Sequence, residues 1–148
     1  MSFFSSLDVS ASGLTAQRLR MDVIAENIAN ANTTRTGNGG PYRRKVVLFE
    51  EQGAPTRFQT IFNRVLNRPE HGNGVKVTRI TEDRHQGPRV YEPNHPDADA
   101  DGYVTMPNVN IVVEMVNMMS ANRSYEANIT AANVTQNMLQ RTLDLSRQ

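Results

Sequence analysis

The sequence predicts an α+β fold: two long terminal helices pairing in a coiled-coil-like arrangement, with a small β-rich middle region. Three observations predict it. Apolar residues recur every seven positions at both ends of the chain. Gly and Pro are almost absent from those ends and crowd the middle. Within the middle, short β-branched runs alternate with turn residues.

From Ser5 to Asn30 the only Gly or Pro is Gly13, and Leu7, Leu14, Met21 and Ile28 form a heptad row with Ala11 and Ala25 at the +4 positions. At about 1.5 Å per residue such a helix is about 40 Å long. The second helix occupies the other end, where no Gly or Pro occurs from Asn108 to Gln148. Ile111, Met118, Tyr125, Ala132 and Leu139 make one row; Met115, Asn122, Ile129, Gln136 and Leu143 make its companion. Pro107, Asn108 and Asn110 supply the start signal, with Asn as N-cap. From Val109 to Met119 every residue except Asn110, Glu114 and Asn117 is apolar, which covers nearly the whole circumference. Two helices cannot bury that for each other, so the middle of the chain or neighbouring subunits must.

The middle reads as linker chemistry at TGNGGPY (Thr36 to Tyr42), then β-like runs at Lys45 to Phe49, Val75 to Thr81, Arg89 to Tyr91 and Tyr103 to Met106. Between the first two runs, Phe58, Ile61, Phe62, Val65 and Leu66 make a short amphipathic stripe, read as a surface helix on the strands. The expected organisation is therefore residues 1–34 and 108–148 as paired terminal helices, and 35–107 as a β-rich region with loops.

Composition narrows the function. A chain of 148 residues is one ordinary domain in size, and its net charge of +1 gives no broad attraction to nucleic acid or anionic lipid. No run approaches the ~20 apolar residues that span a bilayer, so no direct membrane insertion is expected. The start, MSFFSSLDVSASG, lacks the basic and apolar regions of a cleavable signal peptide. There is no cysteine, hence no disulfide or thiolate site. Of 16 basic residues 14 are Arg, suited to forked hydrogen bonds at interfaces, and the 15 Asn fall largely within helical patterns. Amides placed there suit hydrogen bonds to another helix, which leans toward assembly.

Candidate site chemistry is thin. DADADG, Asp97 to Gly102, matches the first half of an EF-hand loop, which makes a small calcium-binding helical interaction protein the alternative reading. The twelfth loop position, which needs a bidentate Glu, is Asn108, so a hydrogen-bonded turn is expected instead. His71, His85 and His95 lack zinc spacing, and no nucleophile elbow or phosphate loop occurs. No catalytic residue, metal site or cofactor is expected, and the chain is not read as an enzyme.

Two segments carry a resemblance. RMDVIAENIANANTT, Arg20 to Thr34, resembles the N-terminal signature of flagellar axial proteins, with Asn27-Ile28-Ala29-Asn30 and Asn32-Thr33 at its core and Tyr42-Arg43-Arg44 as a displaced aromatic-basic continuation. SANRSYEANI, Ser120 to Ile129, resembles the paired C-terminal signature, and Val90 to Met115 is similar to proximal rod proteins of the FlgC type. The resemblance implies a structural subunit of the bacterial flagellar basal-body rod, which crosses the cell envelope. Such proteins polymerise through their terminal helices into the drive shaft that transmits torque for motility. It implies as partners the chain itself, other rod proteins and the flagellar type III export apparatus, which exports without a cleaved signal peptide. Matching the signatures and heptad rows onto this chain gives an expected assembly interface of Leu14, Met21, Asn27, Ile28, Asn30, Asn32, Met115, Met118, Arg123, Tyr125, Glu126, Asn128 and Ile129.

Overall fold

A computed structural model describes residues 3–37, 39–53, 62, 65 and 73–145. Helix α1 runs Phe3–Ala29 and helix α2 runs Ile111–Leu145. Between them lie β1 (Lys45–Glu51), β2 (Val75–Glu82), β3 (Arg89–Tyr91) and β4 (Tyr103–Thr105). The fold class is thus the expected α+β, with strands within a residue or two of their sequence signals. The amphipathic stripe around Phe58 to Leu66 lies outside the described residues, apart from Phe62 and Val65.

Local chemistry sets the helix ends. Asn110 caps α2: its Oδ1 accepts from the Val113 N–H at 3.2 Å and its carbonyl from the Glu114 N–H at 3.0 Å. At the end of α1 the Asn30 amide donates to the Glu26 carbonyl at 3.0 Å, while Ala31 N–H reaches Ile28 O and Thr33 N–H reaches Asn30 O. The chain therefore tightens and turns where the apolar periodicity stops.

β1 pairs with β2, and β3 with β4, as two separate two-stranded sheets. Gln52 N–H bonds Gly74 O beyond one end of the first pair, and Asp83 N–H bonds Arg44 O beyond the other, an antiparallel arrangement. In the second pair Arg89 faces Thr105, Val90 faces Val104 and Tyr91 faces Tyr103. Val104 is buried; on the opposite face the Tyr91 and Tyr103 rings meet edge to face at 5.2 Å.

The chain divides into two compact units. One comprises Met1–Arg18, Phe49–Thr78 and Arg123–Gln148; the other comprises Leu19–Leu48 and Arg79–Asn122. In the first, α1 and α2 meet at Gly13, where any Cβ would sit 2.9 Å from Asn128 Oδ1. Ser12 on the same helix accepts the Val75 N–H at 3.0 Å, beside Gly74, whose φ of 97° favours a glycine. In the second unit, α1 and α2 meet at Asn27 and Glu114, and the buried residues include Val23, Ile24, Ala31, Tyr42, Val104 and Ala121.

Within the single chain, burial does not follow the heptad rows alone. On α1 the buried positions are Ser10, Gly13, Ala16, Val23, Ile24 and Asn27. The row Leu7, Leu14, Met21, Ile28 is only half-buried, and Ala11 and Ala25 are exposed. On α2, Glu114 and Ala121 are buried and the row Met118, Tyr125, Ala132, Leu139 is half-buried; the companion row from Met115 to Leu143 is exposed. At Gly13 the missing side chain lets the helices approach, and at Asn27 and Glu114 hydrogen bonding holds them together, while Val23 and Ile24 are the larger apolar groups that α1 buries. Nor do the described residues bury the apolar run at the start of α2: Val112, Val113, Met115, Val116 and Met119 are all exposed.

Candidate assembly surface and the polar clamp beneath it

Asn27, the first residue of the N-terminal signature core, lies 1 % exposed on α1. An amide offers two donors and two acceptor lone pairs, and all four are used. Nδ2 donates to the Lys45 carbonyl at 2.9 Å and to Glu114 Oε2 at 3.0 Å. Oδ1 accepts from the Tyr42 hydroxyl at 2.9 Å and from the Lys45 N–H at 2.8 Å. One side chain thus ties together the last turns of α1, the start of β1 and the first turn of α2.

Glu114 is the acidic half of the clamp, equally buried at 1 % exposure. Its Oε1 accepts from Arg44 Nε at 2.9 Å, Arg44 Nη2 at 2.7 Å and Asn117 Nδ2 at 3.2 Å. Burial alone would push its carboxyl up. Hydrogen bonds from Asn27 and Arg44, the Arg44 charge and the Asn117 amide overcome that and hold it below the usual carboxylate range. Its place in the first turn of α2 also sets a negative charge at the positive end of the helix dipole. Arg44 is fixed from its backbone too, its N–H donating to Asn108 Oδ1 at 2.9 Å. The Tyr42 phenol is raised to about 12, first by burial and then by Glu26, Glu82 and Glu114. It therefore stays protonated and donates. Lys45 pairs with Glu26 and stands 5.9 Å over the Tyr42 ring.

The other expected interface residues distribute differently. Asn30 closes the end of α1, also accepting from the Thr33 hydroxyl at 3.2 Å, and Asn32 is exposed. On α2, Asn128 is half-buried, donates to the Ser124 carbonyl at 2.9 Å and packs on Gly13; Tyr125 and Met118 are half-buried. Arg123, Glu126, Met115 and Ile129 are exposed, while Leu14, Met21 and Ile28 are half-buried on α1. Opposite the clamp, the first turns of α2 carry Val112, Met115, Val116 and Met119, each more than half exposed and uninterrupted by outward charge.

Residues 7–35 match the family profile described as flagella basal body rod protein, and residues 100–145 match that of the flagellar basal body rod FlgEFG protein C-terminal region. The flagellar basal-body rod protein FlgC of Bacillus subtilis is 49 % identical, covering 99 % of this chain and all of that one. The chain belongs to the flagellar basal-body rod family. FlgC of Borreliella burgdorferi is 45 % identical over 97 % of both chains, and FlgC of Salmonella typhimurium is 42 % identical over 99 % of this chain and all of that one. A structural subunit of the flagellar proximal rod is what this membership gives, and the relatives are structural rod proteins rather than known enzymes.

For a rod protein, the first signature now has a physical content: it closes one helix and anchors the next. Sequence reasoning had singled out Asn27 but missed Glu114 and gave Tyr42 and Arg44 no task. The signal was present, since Glu114 is the one charge in a run that is apolar apart from Asn110 and Asn117. The Asp97–Gly102 segment forms a turn, with Gly102 N–H on Asp99 O at 2.8 Å. Asp97 accepts from the Thr34 hydroxyl and faces Arg35, while Asp99 pairs with Arg89. Among the described residues no group of three or more metal-ligating side chains gathers, and nothing supports the calcium-binding alternative. Among the same residues no helix is long and apolar enough to cross a membrane.

Proposed function

We propose that the chain polymerises through its terminal helices, with copies of itself and with other rod subunits, into the axial shaft that transmits torque. In this reading residues 1–34 and 108–148 form the inner layer and 35–107 the outer one. Catalysis plays no part in it. The observation that carries the reading is the apolar surface opening α2, which the described residues leave uncovered. Leu14, Met21, Ile28, Met115, Met118, Ile129, Arg123, Tyr125, Glu126, Asn128, Asn30 and Asn32 serve neighbouring subunits directly or hold the helices that do. Asn27 contributes from within, as part of the clamp. Ordering of the two helices is completed by neighbours, because isolated helices draw most of their stability from packing.

Delivery proceeds through the flagellar type III apparatus without a cleaved signal, with Phe3 and Leu7 as apolar elements of the export signal. Replacing both with Ser lowers export at unchanged cytoplasmic level; normal export of that variant leaves them a packing role only. The assembly reading is tested with Met115→Asp and Val116→Asp. Both should abolish motility and recovery of the chain in basal bodies, while the circular dichroism of the soluble monomer is unchanged. Normal swimming by both variants would refute it.

A further inference from the structure

A cavity of about 180 Å³ lies within the second unit, beside the clamp, whose Tyr42 forms part of its wall. Arg43, Arg84, His85, Gly87, Met106 and Asn108 are among its walls. That is smaller than the ~300–1,000 Å³ of small-molecule pockets, and suits a side chain rather than a cofactor. Its wall is rigid. A Cβ on Gly87 would collide with the Met106 carbonyl and with Pro107, so the backbone itself closes that side. Asn108 is fixed by the Arg44 N–H. The charge is uneven: Arg43 and Arg84 are exposed and make no ion pair among the described residues. Of the two nearby carboxylates, Asp83 is engaged by His85, whose N–H donates at 3.0 Å and whose Nδ1 lies at 2.5 Å, and Glu82 lines a neighbouring cavity with Arg43.

The complementary charge is carried by the same chain. The connection from β3 to β4 bears Glu92, Asp97, Asp99 and Asp101. Asp97 is taken by Thr34 and Arg35, and Asp99 by Arg89. Glu92 and Asp101 are exposed with no ion pair among the described residues. The turn is preformed: Asp99 N–H bonds Tyr103 O at 2.8 Å, Glu92 N–H bonds Gly102 O at 2.9 Å, and Gly102 has φ 77° against Tyr91 and Pro93.

We propose that this cavity receives the Asp101 turn of a second copy of the chain, its Arg43 and Arg84 pairing with Asp101 and Glu92 of that copy. The proposal rests on the polymerisation reading and names one of its contacts. A second copy is the fitting occupant because the chain is nearly neutral overall, so its segregated cationic and acidic patches complement each other. The two patches are different surfaces, and a contact between different surfaces propagates head to tail, giving an open helical array when the rotation does not close. A rod requires such a contact.

The absence of native cysteine makes the test clean. A chain carrying both Ala100→Cys and Gln86→Cys is expressed in motile cells, and isolated basal bodies are oxidised. Expected is a disulfide-linked ladder of dimers and higher multiples, since the two sites come within bonding reach only between copies. Adding Arg43→Glu and Arg84→Glu should cut the ladder about tenfold, the effect of placing like charges in contact. Adding Asp101→Arg and Glu92→Arg to that variant should restore it. A chain recovered in basal bodies with no ladder, or linked to a different rod protein, overturns this contact and leaves the polymerisation reading standing. A chain missing from basal bodies altogether, with cysteines or without, overturns both.

Discussion

Replacing Glu114 by Ala removes a carboxylate that is buried to 1 % and accepts four hydrogen bonds. Breaking a buried ion pair by deleting one partner costs about 3–5 kcal/mol, most of it from the charge left behind. Here the survivor is Arg44, whose side chain is 27 % exposed and can be partly rehydrated. Asn27 keeps its bond to the Lys45 carbonyl and loses one of its two donor bonds, a smaller cost than a stranded charge. The lower end of the range is therefore expected, about 3 kcal/mol, and Ala's better helix propensity offsets at most a few tenths. For a chain of this size the loss lowers the melting temperature by about 6–12 °C. The assay is urea unfolding of dilute monomer followed by circular dichroism at neutral pH.

Two further arms separate the ion pair from mere packing. Joint replacement of Arg44 and Glu114 by Met should be far less damaging than Glu114→Ala, because no charge is stranded. The pH dependence has a definite sign. The folded Glu114 pKa is depressed below its unfolded value near 4.3, so its contribution is fully present above about pH 4.3 and fades as pH falls through the lower folded value. The stability gap between the native chain and Glu114→Ala should therefore narrow on acidification below that pH. A loss under about 1 kcal/mol at pH 7, or a double variant as unstable as the single one, would refute the clamp's energetic role.

Tyr42→Phe removes one bond to Asn27 and should cost about 1 kcal/mol in the same assay, and ultraviolet titration of the native chain should show one phenol ionising near 12 that this variant lacks. Gly87→Ala forces a methyl into the Met106–Pro107 backbone; destabilisation by urea unfolding is expected, and an unchanged midpoint would show that this wall is compliant. Asn30→Leu and Tyr125→Ala should each abolish motility and rod assembly with little change in the monomer's β content, and normal swimming would remove both from the interface. Amide hydrogen exchange across Arg123 to Leu143, beyond the clamp at the start of α2, should slow strongly from dilute monomer to assembled rod, whereas strong protection there in the monomer would mean a self-sufficient helix pair.

The sequence by itself determined the elements and the family. Heptad spacing and the absence of Gly and Pro marked both helices, Asn110 marked the start of one, and β-branched runs between turn residues marked all four strands. These are local properties: each follows from what a few adjacent residues do to backbone torsions and donors. Only the tertiary structure decided which residues touch. Periodicity put Leu7, Leu14, Met21 and Ile28 at a seam. Contacts between the helices instead fell to Gly13 against Asn128, where a missing side chain allows close approach, and to Asn27 against Glu114, where a hydrogen bond rather than size holds them. Apolar character around α2 was also plain in the sequence, yet not whether the middle of the chain would cover it; that depends on where β1 to β4 lie. The clamp was the least visible of all. Asn27, Tyr42, Arg44 and Glu114 are spread over nearly ninety positions, and a buried carboxylate is tolerable only where donors from distant segments converge on it.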